Sequence, residues 1–418
     1  MDVNVLFVHF MNLVAEEPNS VIDIRKNRVR SNLLLHLYQS GDTSINKMAR
    51  MFHASIPSAT SIVNDLMKEG WIVESGTGPA RAGRPPVLYG LNPKKYLTLI
   101  MDINRHDTQL VIFDLHNKLI AKRKVDIKLD DSSSFLKNLF SATDNFLSFN
   151  NIEYSNLWGI GVAMPGLINT SQGVNLTYPN LTPGGVPLVG YLNKHFKLPT
   201  YLFNDTKATT IGEHRFGFAM DKSHVLTINI DWGVGLGIII NGEVFNGTSG
   251  FAGELGHIQV KPDGMLCHCG KIGCLDTISS AMALIRQAKE EIKNGRATIL
   301  TQIVNNNLEE LDTSHIIEAV HSGDEFSIDL LSTVGTELGK GLATAVHLFN
   351  PEVIIVGGLL AEAGPFISNP IEQAINKYCL SDFKNSLSIH ISKLGANARL
   401  LGTQAYLFEH LIVKEFAN

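Results

Sequence analysis

The apolar positions of this chain change period along its length, and the changes divide it into segments. From Lys26 to Tyr38, Val29, Leu33, Leu34 and Leu37 recur at helical spacing, and Ser40-Gly41-Asp42 ends the run. Thr43-Ser44 reads as the cap of a second helix through Met51, with Ile45, Met48 and Ala49 inward. After a turn at His53-Ala54-Ser55, a third helix is predicted from Pro57 to Glu69. Ile62, Val63 and Leu66 share one side of it, while Ser58, Thr60, Ser61, Asn64 and Lys68 lie largely on the other. Gly70 stops the helix and Trp71-Ile72-Val73-Glu74 begins a strand. From Tyr96 the period shortens: Leu97–Asp102, Gln109–Asp114 and Lys118–Ala121 read as three consecutive strands. Long helices are predicted over Ala281–Asn294 and Ser327–Phe349, the second crossed by Gly335, Gly339 and Gly341, which permit close packing. Pro351–Gly358 reads as a buried strand. An amphipathic helix over Ala396–Val413, with Leu400, Leu401, Ala405, Phe408 and Leu411 inward, is expected to return and cover the first strand-rich segment.

Helix, helix, tight turn, helix, hairpin is the order of a winged helix-turn-helix, whose third helix enters the major groove. Short polar side chains on that helix's exposed face suit base edges because they donate and accept without filling the groove. The hairpin tip, Gly78-Pro79-Ala80-Arg81-Ala82-Gly83-Arg84-Pro85-Pro86, puts Arg81 and Arg84 on a stiffened turn suited to minor-groove or phosphate contact. Charge agrees. Nine Lys/Arg face four Asp/Glu between Arg25 and Pro86, a balance of +5, whereas the whole chain carries −5, so the remainder carries −10. A basic module on an acidic body points to nucleic acid; a helical protein-docking domain with solvated arginines is the competing reading.

The 418 residues suffice for two or three domains with full cores. With 18% charged and 44% hydrophobic residues the composition is that of a globular protein. No apolar run reaches the roughly 18 residues of a membrane span. Asp2 stands where a signal peptide would be basic, so Val3–Val14 is read as a packing arm. Three of the four cysteines are clustered and Cys379 is alone, which gives no disulfide framework and fits a reducing, cytoplasmic setting.

The cluster carries the chemistry. In Gly253-Glu254-Leu255-Gly256-His257 and Cys267-His268-Cys269-Gly270-Lys271-Ile272-Gly273-Cys274-Leu275-Asp276, the residues His257, Cys267, Cys269 and Cys274 supply one imidazole and three thiolates, the set that closes a tetrahedral zinc site. Four protein ligands leave no open position for an activated water, so the Zn2+ would be structural. Unrelated buried thiols are the competing reading. Glu254, His257 and Asp276 flank the ligands, and two carboxylates with an imidazole edge suit the neighbouring hydroxyls of a sugar.

These two segments closely resemble the signature of the ROK family, named for its repressors, open reading frames and kinases. The resemblance runs from about Tyr96 to Phe408, and Gly83-Arg84-Pro85-Pro86 resembles the wing of its DNA-binding members. It implies an α/β fold, a two-lobed actin-like ATPase/sugar-kinase (ribonuclease H-like) body preceded by a winged helix-turn-helix. The expected division is 1–92 for the DNA-binding domain with its arm, 93–224 for the first lobe, completed by 396–418, and 225–395 for the second lobe with the zinc loop. Kinases of this fold carry an Asp-x-Gly-Gly-Thr phosphate loop, but residues 102–108 read Asp-Ile-Asn-Arg-His-Asp-Thr. A second phosphate segment like Gly-Thr-Gly-Val-Gly-Gly-Gly is replaced by Asp231-Trp232-Gly233-Val234-Gly235-Leu236-Gly237. Asp231 adds negative charge beside a polyphosphate and Trp232 fills space, so ATP is expected to bind poorly.

The sugar side keeps more of the family pattern. Gly159–Gly166 is similar to its cleft strand and turn, Tyr178-Pro179-Asn180-Leu181 resembles the segment whose asparagine, here Asn180, contacts hydroxyls, and Asn204-Asp205 is similar to its Asn-Asp pair. In kinases that aspartate is the base; here Asp205 is read as sugar-binding and no catalytic residue is assigned. Capping of the helix from Thr206 to Phe216 is the competing role. Lys207 stands where asparagine is usual, and Asp276 where glutamate is usual. By resemblance, His257 places one ring nitrogen on metal and the other on a sugar hydroxyl. The expectation is a sugar-responsive DNA-binding regulator, a repressor of carbohydrate-use genes, with operator DNA and a sugar or sugar phosphate as partners and no membrane association. A homodimer or homotetramer is expected because winged helices read paired half-sites. The alternative is a ROK-type sugar kinase, an ATP:hexose phosphotransferase, with an appended DNA-binding domain.

Overall fold

In the computed structural model, which describes residues 21–79 and 85–416, three helices open the chain: α1 (Val21–Ser40), α2 (Ile45–Met51) and α3 (Ile56–Lys68). The antiparallel hairpin of β1 (Ile72–Thr77) and β2 (Val87–Leu91) follows. The arm expected at Val3–Val14 and the wing residues Arg81 and Arg84 lie outside the described residues. The start of α3 is set by Ser55, whose hydroxyl accepts from the Ser58 N–H at 3.2 Å, and by Pro57 in the first turn. Its buried face is Ala59, Val63 and Leu66; Ile62 is only half-buried, one helical position off the predicted stripe. Ser44 occupies the N-cap of α2 without the expected side-chain hydrogen bond. Thr43 is buried beside it, and its backbone exchanges hydrogen bonds with Tyr89 of β2 at 3.0 and 2.9 Å, tying the helix pair to the wing.

Two five-stranded sheets form the body. The first runs β5-β4-β3-β6-β9: β3 (Leu97–Ile103), β4 (Thr108–Asp114) and β5 (Leu119–Val125) are antiparallel, and β6 (Leu157–Met164) and β9 (Thr200–Asn204) continue parallel to β3. The three strands expected from the alternation are all present. A short ribbon of β7 (Ile168–Asn169) and β8 (Val174–Asn175) lies beyond β6. Helices α4 (Ser133–Phe149) and α5 (Leu188–Phe196) cover one face, where Phe135, Leu139 and Phe146 pack with Leu99, Met101 and Leu110.

The second sheet runs β12-β11-β10-β13-β14, with β10 (Val225–Ile230), β11 (Val234–Ile240), β12 (Glu243–Val244), β13 (Val353–Gly357) and β14 (Ser388–Ile391). Every residue of β10 and of β13 is buried, as parallel central strands covered on both faces require. Between β9 and β10 runs α6 (Asp205–Phe216). The helices α7 (Ala281–Lys293), α8 (Thr313–His321), α9 (Glu325–Phe349) and α10 (Pro365–Tyr378) share one core with this sheet. Among the described residues no helix is long and apolar enough to cross a membrane.

The last helix, α11 (Asn397–Phe416), joins these parts. Leu400, Ala405, Phe408 and Leu411 are buried as the pattern predicts, and Leu401 is half-buried. Helices α6 and α11 cross so closely that a Cβ at Gly212 would run into the Ala398 carbonyl, and one at Gly402 into the Ala208 carbonyl. Beyond covering the first lobe, α11 reaches the N-terminal helices: Tyr38 stacks on Phe408 at 4.1 Å, Trp71 lies 5.8 Å from Phe416, and the Arg30 guanidinium sits 4.6 Å over Phe416. Leu33, Leu37, Leu66 and Trp71 therefore belong to the same core as Trp158, Phe408 and Leu411.

The crossing has a measurable consequence. Gly402→Ala forces backbone against backbone and is expected to cost about 1–3 kcal/mol or more. Gly190→Ala, at an exposed helical site with open space around it, is expected to gain about 0.4–1 kcal/mol. Urea unfolding of the two variants checks both signs, and a neutral Gly402→Ala would contradict the close crossing.

Candidate functional site

The loop after β12 brings His257, Cys267, Cys269 and Cys274 together, with one ligand atom from each within 4.8 Å of all the others. The Cys269 and Cys274 sulfurs are 3.6 Å apart, and the Cys267 sulfur lies 3.7 Å from His257 Nδ1. Backbone pairing holds the loop: Val260 N–H donates to the Gly273 carbonyl at 2.9 Å and Cys267 N–H to the Lys271 carbonyl at 2.7 Å. Gly273, at φ +73°, passes so near the Lys261 carbonyl that no Cβ would fit. These four residues could hold a metal ion. Cys267, His268 and Asp276 form a second, three-membered group on the same loop, with His268 Nδ1 3.7 Å from both Cys267 Sγ and Asp276 Oδ2.

Because Nδ1 of His257 faces the sulfurs, its Nε2 turns the other way, 3.9 Å from Glu254 Oε2, toward a cavity of about 200 Å3 between the two sheets. From the first lobe Asn204, Asp205 and Lys207 line it; from the second come Asp231, Trp232, Glu254, His257, His268 and Asp276. Asn204 is the N-cap of α6, accepting from the Lys207 N–H at 3.1 Å, so Asp205 is the first helical residue and does not serve as the cap. Burial pushes the carboxyls of Asp205 and Asp276 above the usual carboxylate range. One oxygen of Asp276 accepts from the Val234 N–H at 2.7 Å. Asn180 is placed elsewhere: it is exposed, its backbone and side-chain N–H groups donate to Asp131 at 2.8 and 2.6 Å, and it does not line the cavity. Ser58, Ser61, Asn64 and Lys68 form an exposed row along α3, with Thr60 half-buried and its hydroxyl donating to the Ile56 carbonyl.

Residues 98–410 match the ROK family and residues 27–75 match the MarR family. The chain belongs to the ROK family. A xylose repressor of Caldicellulosiruptor bescii is 30% identical over 372 residues, covering 88% of this chain and 92% of that protein. The structure of a ROK family transcriptional regulator described as a homologue of the E. coli MLC protein superposes with a TM-score of 0.78 at 28% identity, over 94% of this chain and 99% of the other. A ROK family glucokinase of Streptomyces griseus, in complex with glucose and AMPPNP, superposes at 0.66 and 27% identity, over 74% of this chain and 98% of the kinase.

This ROK chain carries one cavity residue that its sequence pattern concealed. Arg399, in the first turn of α11, is 12% exposed; its Nε lies 2.7 Å from Asp102 Oδ1, and its NH2 donates to Asp102 Oδ2 at 3.1 Å and to Asn104 Oδ1 at 2.6 Å. NH1 lies 3.5 Å from Asp231 Oδ2. The helical pattern marked α11 as a cover for the first lobe, and only the single cation on that buried stripe hinted at partners 168 and 297 positions away in the chain.

Lys207 is one of the departures from the family pattern. Its ammonium donates to the Gly250 carbonyl at 2.5 Å and to Asn246 Oδ1 at 3.1 Å, linking α6 to a loop of the second lobe. Burial pulls its pKa down to about 8, against the Glu254 carboxylate, which raises it. The unfolded chain keeps the ordinary value near 10.5, so between about pH 8 and 10.5 it binds the extra proton and stability gains with rising pH on account of this group. Urea unfolding at about pH 7.5 and about pH 9.5 should therefore show wild type gaining on Lys207→Met as pH rises. A constant difference between the two proteins would place an ordinary lysine there.

Proposed function

We propose that this protein is a cytoplasmic, sugar-responsive transcriptional repressor of carbohydrate-use genes, with residues 1–92 as the DNA-binding domain and 93–418 as the sensor. The observation that carries the proposal is that one helix, α11, packs in the core that holds the exposed polar helix α3 and also supplies Arg399 to a carboxylate-lined cleft. The cavity of about 200 Å3 falls below the roughly 300–1,000 Å3 of sites for drug-sized ligands, which suits a single sugar. Asn204, Asp205, Glu254, His257 and Asp276 would accept and donate to its hydroxyls. Asn180 would join them only by moving away from Asp131. Ser58, Thr60, Ser61, Asn64 and Lys68 would face the major groove and Arg81 and Arg84 the backbone or minor groove, in a homodimer or homotetramer reading paired half-sites.

Zinc fits the loop. A tetrahedral ion with Zn–S near 2.3 Å sets sulfur–sulfur edges of about 3.8 Å and, with Zn–N near 2.0 Å, sulfur–nitrogen edges of about 3.6 Å; the Cys269–Cys274 spacing of 3.6 Å and the Cys267–His257 spacing of 3.7 Å lie close to these. His257, Cys267, Cys269 and Cys274 would hold Zn2+ as a structural ion that fixes the loop. With Nδ1 on the metal, His257 would offer its Nε2 edge to the sugar.

The glucokinase likeness favours one competing reading, phosphoryl transfer with Asp205 as base. Three features weigh against it: the missing phosphate-loop glycines, Trp232, and Arg399 between Asp102 and Asp231.

Paired calorimetric titrations test the function: magnesium-ATP in one series, and hexoses, pentoses, N-acetylhexosamines and their phosphates in the other. One sugar should bind and release DNA, while ATP should not bind; micromolar ATP affinity and sugar phosphorylation abolished by Asp205→Asn would install the kinase instead. Cys269→Ser should lose metal and at least tenfold in sugar response, and a metal-retaining, fully responsive variant would contradict the zinc assignment.

A further inference from the structure

The two segments that would grip nucleotide phosphates in a kinase touch each other. Asp102 is the penultimate residue of β3 in the first lobe, and Asp231 follows β10 in the second. Arg399 lies between them, 2.7 Å from one and 3.5 Å from the other. A second contact runs alongside: the His106 ring, in the turn after β3, lies 4.2 Å from the ring of Trp232, next to Asp231. The second-lobe end is itself fixed, because Asp231 Oδ1 accepts from the Leu359 N–H at 2.8 Å and its Oδ2 from the Asn229 side chain at 3.0 Å. Asp102 is 1% exposed and Asp231 21%, so the first lobe holds the arginine deeply and the second holds it at the cleft edge.

The arginine's position on α11 gives this contact a reach beyond the cleft. One turn of that helix lines the cavity through Arg399, and later turns carry Phe408 against Tyr38 and Phe416 against Trp71 and Arg30. Glu409 in between pairs with Arg215 of α6 at 2.9 Å and accepts from Gln39 of α1 at 3.2 Å. Helix α6 in turn begins with Asp205 and Lys207 in the cavity wall. Both helices thus run from the cleft to the first ninety residues, locked to each other at Gly212 and Gly402. Packed helices of this kind shift as units.

We propose that Arg399, with Asp102 and Asp231, is an interlobe latch that sets the lobe angle in place of a nucleotide and passes sugar occupancy through α11 to the DNA-binding domain. The proposal rests on the sugar-repressor reading of the cavity and names how that site is coupled. Arg399 is a positioning residue: it acts on the operator through the helix it belongs to. A ligand that changes the lobe angle changes the Arg399–Asp231 separation at the exposed end of the latch, while the buried Asp102 end travels with α11. Weakening the exposed end therefore uncouples the lobes without emptying the cavity.

Asp231→Asn is the discriminating variant, since it removes the charge facing Arg399 and keeps an oxygen for the Leu359 N–H. Calorimetry with D-xylose, D-glucose and N-acetylglucosamine identifies the binding sugar on wild type, and fluorescence anisotropy on duplexes selected from a random pool gives DNA affinity with and without it. Because Asp231 also lines the cavity, the comparison is made at saturating sugar for each protein, where the sugar-induced loss of DNA affinity should shrink at least fivefold in the variant. Full coupling in the variant would overturn the proposal. A cycle of Asp231→Asn, Arg399→Gln and both together, followed by urea unfolding, uses neither sugar nor DNA. The effect of Asp231→Asn should vanish once Arg399 is neutral, and additive effects would show that no latch exists. A wild type that binds no sugar would defeat the reading of the cavity, while the cycle would still decide whether Arg399 and Asp231 are coupled.

Discussion

A guanidinium held between two carboxylates from different lobes is the constraint on which the rest of this structure turns. Burial pushes the Asp102 carboxyl up, and the adjacent Arg399 pulls it back down. Neither group is tolerable alone in that position, because an unpaired buried charge is far costlier than a paired one. The pair fixes where α11 starts, the start fixes the crossing of α11 with α6, and the crossing fixes where Asp205 and Lys207 stand in the cavity. Replacing such a triad by apolar groups would often leave stability unchanged. Its contribution is geometric: it ties β3 of one sheet and the end of β10 of the other to a single side chain.

The loop of His257, Cys267, Cys269 and Cys274 acts on the opposite wall of the same cavity. Short-range turns and two cross-loop hydrogen bonds bring its four donors within one coordination sphere, but thiol packing alone does not orient an imidazole. Under the proposed zinc assignment the metal would fix the His257 ring, so that the nitrogen facing the cavity is determined by the nitrogen facing the ion. On these two proposals metal and latch would constrain different walls, one the side read as facing sugar hydroxyls and the other the angle at which the lobes meet.

Local chemistry made much of this legible. The strands β3, β4 and β5 followed from their shorter period, α3 from its apolar stripe and the Gly70 stop, and the Cys/His loop from four residues whose spacing has few other uses. Each signal is contained within a few dozen residues. What escaped was long-range. Arg399 looks like an ordinary helical cation until Asp102 and Asp231, hundreds of positions away, are brought to it. Ile62 belonged to the predicted inner stripe, yet the buried line of α3 runs through Ala59, Val63 and Leu66, which leaves Ile62 at its flank and half-buried. Asn180 followed the family pattern, but the local pairing with Asp131 carries it away from the cavity. The continuity of the core from Leu33 to Phe416 was likewise invisible, because Trp71, Trp158 and Phe408 each satisfy their own element's period and only the fold reveals that they touch.

That continuity bears on how a cleft of this type can govern a DNA-binding surface. A winged helix on a flexible linker would feel lobe motion only through a loose tether, and its half-site spacing would average over many geometries. Here Trp71, Tyr38 and Arg30 sit directly on α11, so a rotation of that helix displaces α1 and the hairpin as one packed unit. Allosteric coupling typically requires about 1 to 3 kcal/mol, and a change in one partly exposed ion pair together with one ring contact falls in that range. The deeply buried end of the latch is unsuited to such switching, since breaking it would cost more than a small ligand can return. The partly exposed Asp231 end, backed by the His106–Trp232 contact, has a strength comparable to the signal it would carry.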